Sequence, residues 1–369
     1  MKFLPTILAL IALALAHAVP CGAATVDDQA RFLAGLSVEA TDLEPLAREG
    51  AWQQHATEFH RAWVDLEERQ LSKIGAWMPS SVNYAYADPS PLYYMFSGPD
   101  FLYAHAFFPN ASTYVMSGRE PIGTVPDVAA LSAGARSGGL RNLRTALNAI
   151  LSFSFFITAD MKTDLSQTQL SGTLPVLYVF LARSGCHIDS VELVKLNAAG
   201  EFTAEKSNTP GVRIRFTGTA GQPQTLYYFT TDLSDWGIKS NPGFMAFCAK
   251  QGEGNGFVKA ASYLMHGENF VKVRNFLLNN TRNLIEDDSG VPYGYFHSDQ
   301  WVVSLFGHYP GPINLFKNHF QKDLDAAFKT HGSQKLPFGV GYQWRPGVSS
   351  LIVATALKSV PKAEPVAQQ

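Results

Sequence analysis

The sequence predicts an α/β protein, a layered mixed sheet with an N-terminal helical segment. Three observations carry this. Helix-like and apolar strand-like runs alternate through most of the chain, a strand, short helix, strand succession begins at Leu92, and a Gly/Pro-rich turn joins two later strands as an antiparallel hairpin. An α+β fold with a mainly antiparallel sheet is the alternative. The expected layout is a signal peptide over 1–24, a helical segment and linker over 25–91, an α/β main domain over 92–360 and a flexible tail over 361–369.

Between Trp52 and Ile74 the apolar residues Phe59, Ala62, Trp63, Leu66 and Ile74 recur at helical period, with Glu67, Glu68 and Arg69 among them. A turn-rich stretch over 79–91 follows, a hinge or a long loop. Leu92-Tyr93-Tyr94-Met95-Phe96 then reads as a buried strand stopped by Ser97-Gly98-Pro99-Asp100. Residues 101–108 supply about two turns of helix, and Thr113-Tyr114-Val115-Met116 is a second strand running into Ser117-Gly118-Arg119-Glu120. That order predicts a parallel βαβ unit with a right-handed crossover. Helices are expected over 139–156 and 173–183, and strands over 188–196, 212–216 and 225–230, the last two forming the hairpin. Beyond them come a helix near Phe244, a strand or helix over 257–265, a helix over 269–279, a strand over 301–306, a helix over 315–328 and a strand over 351–354.

Lys2 followed by an apolar run over 3–16 and then small residues has the order of a secretory signal, and the run is shorter than the ~20 residues of a membrane span. Cleavage is expected after Ala24, giving a periplasmic or secreted protein without a transmembrane segment. Pro20 spoils the lipobox that Cys21 would need. With 46% hydrophobic and only 16% charged residues the chain can fill a large core. A net charge of −2 without long runs of either sign argues against nucleic acid as a partner. In an oxidising compartment Cys186 and Cys248 either pair or stay as buried thiols.

The chain contains no G-x-S-x-G elbow, H-E-x-x-H pair or Walker loop, which counts against the common serine hydrolases, zincins and nucleotide phosphate binders. Gly98 and Glu120 stand about 20 positions apart, as a glycine turn and a ribose-binding acid do in a Rossmann unit, but the remaining glycines of that fingerprint are missing. The βαβ order still places Asp100 and Glu120 beyond the carboxyl ends of their strands, where open α/β sheets bind ligands. The alternative is that Asp100 caps the short helix and Glu120 pairs with an arginine.

A second polar cluster runs from Glu286 to His308. Asp287 and Asp288 can form an acid and base pair if burial separates their pKa values, with Asp288 turned inward toward His297 or Lys259 and Asp287 left in water. His297 and Asp299 are candidate metal ligands, although Asp287-Asp288-Ser289-Gly290 and His297-Ser298-Asp299 also read as plain turns. Lys259 and Ser262 share a face on a helix but not on a strand. Aromatic residues crowd both clusters and suit either a core or stacking on a small-molecule or glycan ligand. The candidate catalytic set is therefore Asp100, Glu120, Asp287, Asp288 and His297, and the motifs name no cofactor. The expected role is an extracytoplasmic enzyme, a carboxylate-based hydrolase of envelope or extracellular material, or else a non-catalytic envelope binding or scaffold protein. Convergence of Asp100 and Asp288 on one concave pocket would favour the enzyme.

The run from Tyr94-Met95-Phe96-Ser97-Gly98-Pro99-Asp100 through Phe107-Phe108-Pro109, with Asp287-Asp288-Ser289-Gly290-Val291-Pro292 later, resembles an uncharacterised family of exported bacterial proteins. The resemblance covers most of the chain after about residue 50. It implies an envelope-facing setting and brings no activity or catalytic residue with it.

Overall fold

The computed structural model describes residues 22–39, 41–155 and 170–359. Residues 1–21 of the expected signal and the expected tail lie outside them. The layered mixed sheet is as expected, with nine strands in the order β3-β4-β5-β2-β1-β6-β7-β9-β8. They are β1 (Leu92–Tyr94), β2 (Thr113–Gly118), β3 (His187–Lys195), β4 (Pro210–Thr217), β5 (Pro223–Thr230), β6 (Gly254–Val258), β7 (Thr281–Glu286), β8 (Trp301–Gly307) and β9 (Ser350–Ala356).

The five central strands, β5-β2-β1-β6-β7, are parallel. β4 flanks this block on one side and β9 on the other, each antiparallel to it, and the edge strands β3 and β8 pair antiparallel to β4 and β9. Every residue of β1 and β6 is buried, as parallel strands covered on both faces require. Alternation along β1 sends Tyr94 into one core and Tyr93 into the other. The helices Val26–Leu33, Gly50–Leu66, Ala133–Phe153 and Leu174–Arg183 pack on the Tyr94 face, and Gly243–Gln251, Val271–Asn280 and Lys322–Thr330 on the Tyr93 face. No helix among the described residues is long and apolar enough to cross a membrane.

The expected βαβ unit is present: β1, the helix Phe101–Phe107 and β2, with Leu92 to Tyr94 beside Tyr114 to Met116. The hairpin is β4–β5. The N-terminal amphipathic stretch runs from Gly50 to Ser81 with one π turn, Glu67–Leu71. π turns often mark functional sites because they re-aim a side chain, and this one keeps Gln70 buried between Leu66 and Ile74.

Two expectations are corrected and one open alternative is decided. The helix expected over 315–328 breaks into a 3₁₀ segment, Asn314–His319, and the helix Lys322–Thr330. Gln321 sits at the break, where its backbone N–H donates to the Tyr309 hydroxyl and its side chain donates to the Asp288 carbonyl. The stretch 257–265 is neither one strand nor one helix, since β6 ends at Val258 and a tight loop follows. Cys186 and Cys248 are free thiols, because the sheet separates them: Cys186 lies in the Tyr94-side core, 3.7 Å from His105 Nε2, and Cys248 in the opposite core.

Candidate functional site

The carboxyl ends of β1, β2, β6 and β7 meet along one edge, and the polar residues gather there in two tiers. The inner tier is a buried ion pair, Asp100 with Lys259, at 2.9 Å with each side chain only 2% exposed. Asp100 arrives because β1 ends in a turn through Gly98, whose φ of +53° is left-handed. Asp100 Oδ1 caps the helix Phe101–Phe107 by accepting the Tyr103 N–H, and Oδ2 takes the Tyr94 hydroxyl at 2.9 Å and Lys259. Lys259, the residue after β6, also donates to the Ser154 carbonyl and lies 4.3 Å from the centre of the Tyr103 ring. The Tyr103 hydroxyl donates to Gln70, whose amide donates to the Gly339 carbonyl at 2.7 Å. The π turn thus ties the N-terminal helix to this pair.

Asp287 and Asp288 follow β7 and are both buried, so the expectation that Asp287 faces water is overturned. Asp287 accepts the N–H groups of Ala260 at 2.9 Å and Ser289 at 3.0 Å. Asp288 accepts the Tyr263 hydroxyl at 2.7 Å; its side-chain partner is neither His297 nor Lys259. Burial pushes the Asp100 and Asp287 carboxyls up, with Lys259 opposing in both. Burial and the neighbouring Asp287 charge raise Asp288 to about 7. Burial also drives Glu286, fully buried, well up, against one N–H from Val291.

Between β6 and the 3₁₀ turn Leu264–His266 the chain takes three non-glycine residues into the left-handed region, Ala260 at φ +50°, Ser262 at +53° and Tyr263 at +54°. Such conformations cost on the order of 1–3 kcal/mol each and persist where the surroundings fix them. Here they are fixed by Ala260 N–H on Asp287, Ala261 N–H on Ser289 Oγ, and the Tyr342 hydroxyl on the Ala260 carbonyl. Tyr263 stacks on His319 at 5.0 Å. The buried carboxylates hold a strained loop in shape.

The outer face of that loop, Ala260 to Ser262, forms one wall of a pocket of about 250 Å³. Gly98, Gly118 and Glu120 line it opposite, with Arg119 and Asp232 at the rim. Glu120 is 4% exposed and accepts the Tyr228 hydroxyl at 3.1 Å. A Cβ at Gly118 would strike Glu120 Oε2, so bare backbone there makes room for the carboxylate, whereas a Cβ at Gly98 would meet it only at an ordinary 3.7 Å. Arg119 pairs with Asp232 at 2.7 Å rather than with Glu120. Burial would raise Asp232, but bonds from Ser234 and Arg119 outweigh it and hold the carboxyl below its ordinary range.

Compared with family models, with curated proteins and with solved structures, the chain finds no match. The site is therefore read from its own geometry.

Of the five candidate catalytic residues, Glu120 alone lines this pocket. Asp100, Asp287 and Asp288 do not line it, so the convergence of Asp100 and Asp288 on one concave pocket that would favour the enzyme is not found: Asp100 pairs with Lys259, and Asp288 accepts from Tyr263. His297 and Asp299 are exposed in the turn before β8, and the His297 carbonyl closes that turn by accepting the Gln300 and Trp301 N–H groups at 2.9 Å. Among the described residues no group of three or more His, Cys, Asp or Glu is arranged to hold a metal ion. Sequence reading missed Gln70, Arg119, Asp232 and the loop strain. Gln70 alone carried a signal, as a polar residue four places after Leu66 and four before Ile74 on the apolar stripe.

Proposed function

We propose that this chain is an exported enzyme that acts on a small molecule at the Glu120 pocket, with Glu120 as general acid or base, in hydrolysis of envelope or extracellular material. The observation that supports it is the placement of one nearly buried carboxylate at the carboxyl edge of a parallel sheet, the position where open α/β sheets bind ligands. Glu120→Gln keeps the shape and the bond from Tyr228 while removing proton transfer. In a panel of small ester, amide and glycoside substrates, the wild type is expected to turn over at least one class and Glu120→Gln to lose about 10²–10⁴-fold in rate. Equal rates in the two proteins would sink the assignment.

A non-catalytic binding protein is the second reading, favoured by one feature. Ser262, the hydroxyl exposed in the pocket, meets only the Tyr342 hydroxyl at 3.0 Å, and burial raises that phenol, so no base activates it. Ligand-induced stabilisation without turnover would select this reading.

Export carries its own test. Thr25 caps the helix Val26–Leu33 through reciprocal bonds with Asp28, so cleavage after Ala24 leaves the first helix whole and gives up the Ala24 N–H bond to Asp42. The intact mass of exported protein is expected to correspond to a chain starting at Thr25; a mass that includes residues 1–24 would contradict it.

A further inference from the structure

We propose that the Glu120 pocket takes a small monocation, a primary amine or similar ammonium group lodged at the Glu120 carboxylate and carried on a compact apolar or aromatic body. This deepens the reading of the same pocket as the working site and rests on it. Three charged side chains line the pocket, and two of them, Arg119 and Asp232, neutralise each other. Glu120 is the third. Its carboxylate is shielded from water, its one side-chain hydrogen bond comes from the neutral Tyr228 hydroxyl, and among the described residues no Lys, Arg or His pairs with it. A shielded carboxylate without a counter-charge is strongly unfavourable, and a bound ammonium supplies that charge with a charge-assisted hydrogen bond.

The remaining wall selects the body of the ligand. Met95, Phe96, Leu233, Leu264 and Phe270 are apolar, and the Phe96 and Phe270 rings meet edge to face at 5.9 Å. They offer a surface for an aromatic ring or for the cation itself. A volume of about 250 Å³ lies just below the roughly 300–1,000 Å³ of most ligand sites and restricts the body to one ring or a short chain. Anions find no available cation here, because Arg119 is held by Asp232.

Calorimetric titration of the mature protein with benzylamine, benzyl alcohol and benzoate, three probes of one shape and different charge, tests the proposal. Wild type is expected to bind benzylamine roughly tenfold or more tighter than either of the others. Glu120→Gln is expected to abolish that preference, with benzylamine weakened far more than benzyl alcohol. If Glu120→Gln melts early, a wild-type crystal soaked with benzylamine decides the matter: its nitrogen at the Glu120 carboxylate supports the proposal, and a nitrogen at Asp232 or outside the pocket overturns it. Benzyl alcohol or benzoate binding as tightly as benzylamine overturns the proposal and leaves the pocket as a binding site. Failure of all three to bind also overturns it, and the enzyme reading then stands or falls separately on the Glu120→Gln turnover comparison.

Discussion

Lys259→Met is expected to lower the unfolding free energy by about 3–5 kcal/mol, the usual cost of removing one partner from a buried ion pair. Methionine nearly matches the lysine stem in length, so the loss is electrostatic more than steric. Asp100 would be left 2% exposed with only the Tyr94 hydroxyl and the Tyr103 N–H for its charge. The Ser154 carbonyl would lose its donor, and the Ala260 to Tyr263 loop the anchor at its base. Removing both charges in Lys259→Met with Asp100→Leu should cost less than the sum of the two single changes, because no uncompensated charge remains. Urea unfolding of the four proteins measures this. A Lys259→Met loss below about 1 kcal/mol, with additive behaviour, would mean that the pair does not hold the inner tier together.

The second large effect is a pH dependence carried by Asp288. Unfolded, its carboxyl titrates in the ordinary range; folded, burial and the Asp287 charge hold it at about 7. The folded state therefore binds this proton more tightly, and the contribution is fully present below the ordinary carboxylate range and lost as pH rises through 7. Three units correspond to on the order of 4 kcal/mol. Buried His55 and His105 and half-buried His266, each lowered to about 4 chiefly by desolvation, act with the opposite sign as pH falls below about 6.5. The comparison with Asp288→Asn isolates the carboxyl, since asparagine keeps an acceptor for the Tyr263 hydroxyl and has no proton to lose. The stability of wild type minus that of Asp288→Asn should fall by a few kcal/mol between pH 4 and 8. A difference that is flat across that range would show Asp288 to titrate as an exposed carboxylate.

These two residues also show how far the sequence could be read. Leu92 to Phe96 is a continuous apolar run closed by Ser97-Gly98-Pro99, so β1, its turn and the cap at Asp100 were legible, and Glu120 fell into place after β2. β7 was not legible. Thr281-Arg282-Asn283 interrupts its apolar pattern, no turn separates it from the helix Val271–Asn280, and Asn283 is satisfied inside the sheet, donating to Asn255 at 2.8 Å. Without β7 the depth of Asp287 and Asp288 was invisible. The partner of Lys259 depends on β6 ending at Val258, one residue before it. The left-handed loop carries no glycine at its strained positions to announce it, because tertiary hydrogen bonds rather than local preference hold Ala260, Ser262 and Tyr263 there.

The proposed division of labour, a buried carboxylate tier that shapes the loop and Glu120 as the carboxylate for a ligand, is tested most directly by locating a bound molecule. In a crystal of the mature protein soaked with benzylamine, the nitrogen is expected within about 2.7–3.2 Å of a Glu120 carboxylate oxygen, with the ring against Phe96 and Phe270. Benzylamine seated instead in the cleft beside His308 and Lys335, or in the pocket between Asn197 and Asn241, with none at Glu120, would contradict the account.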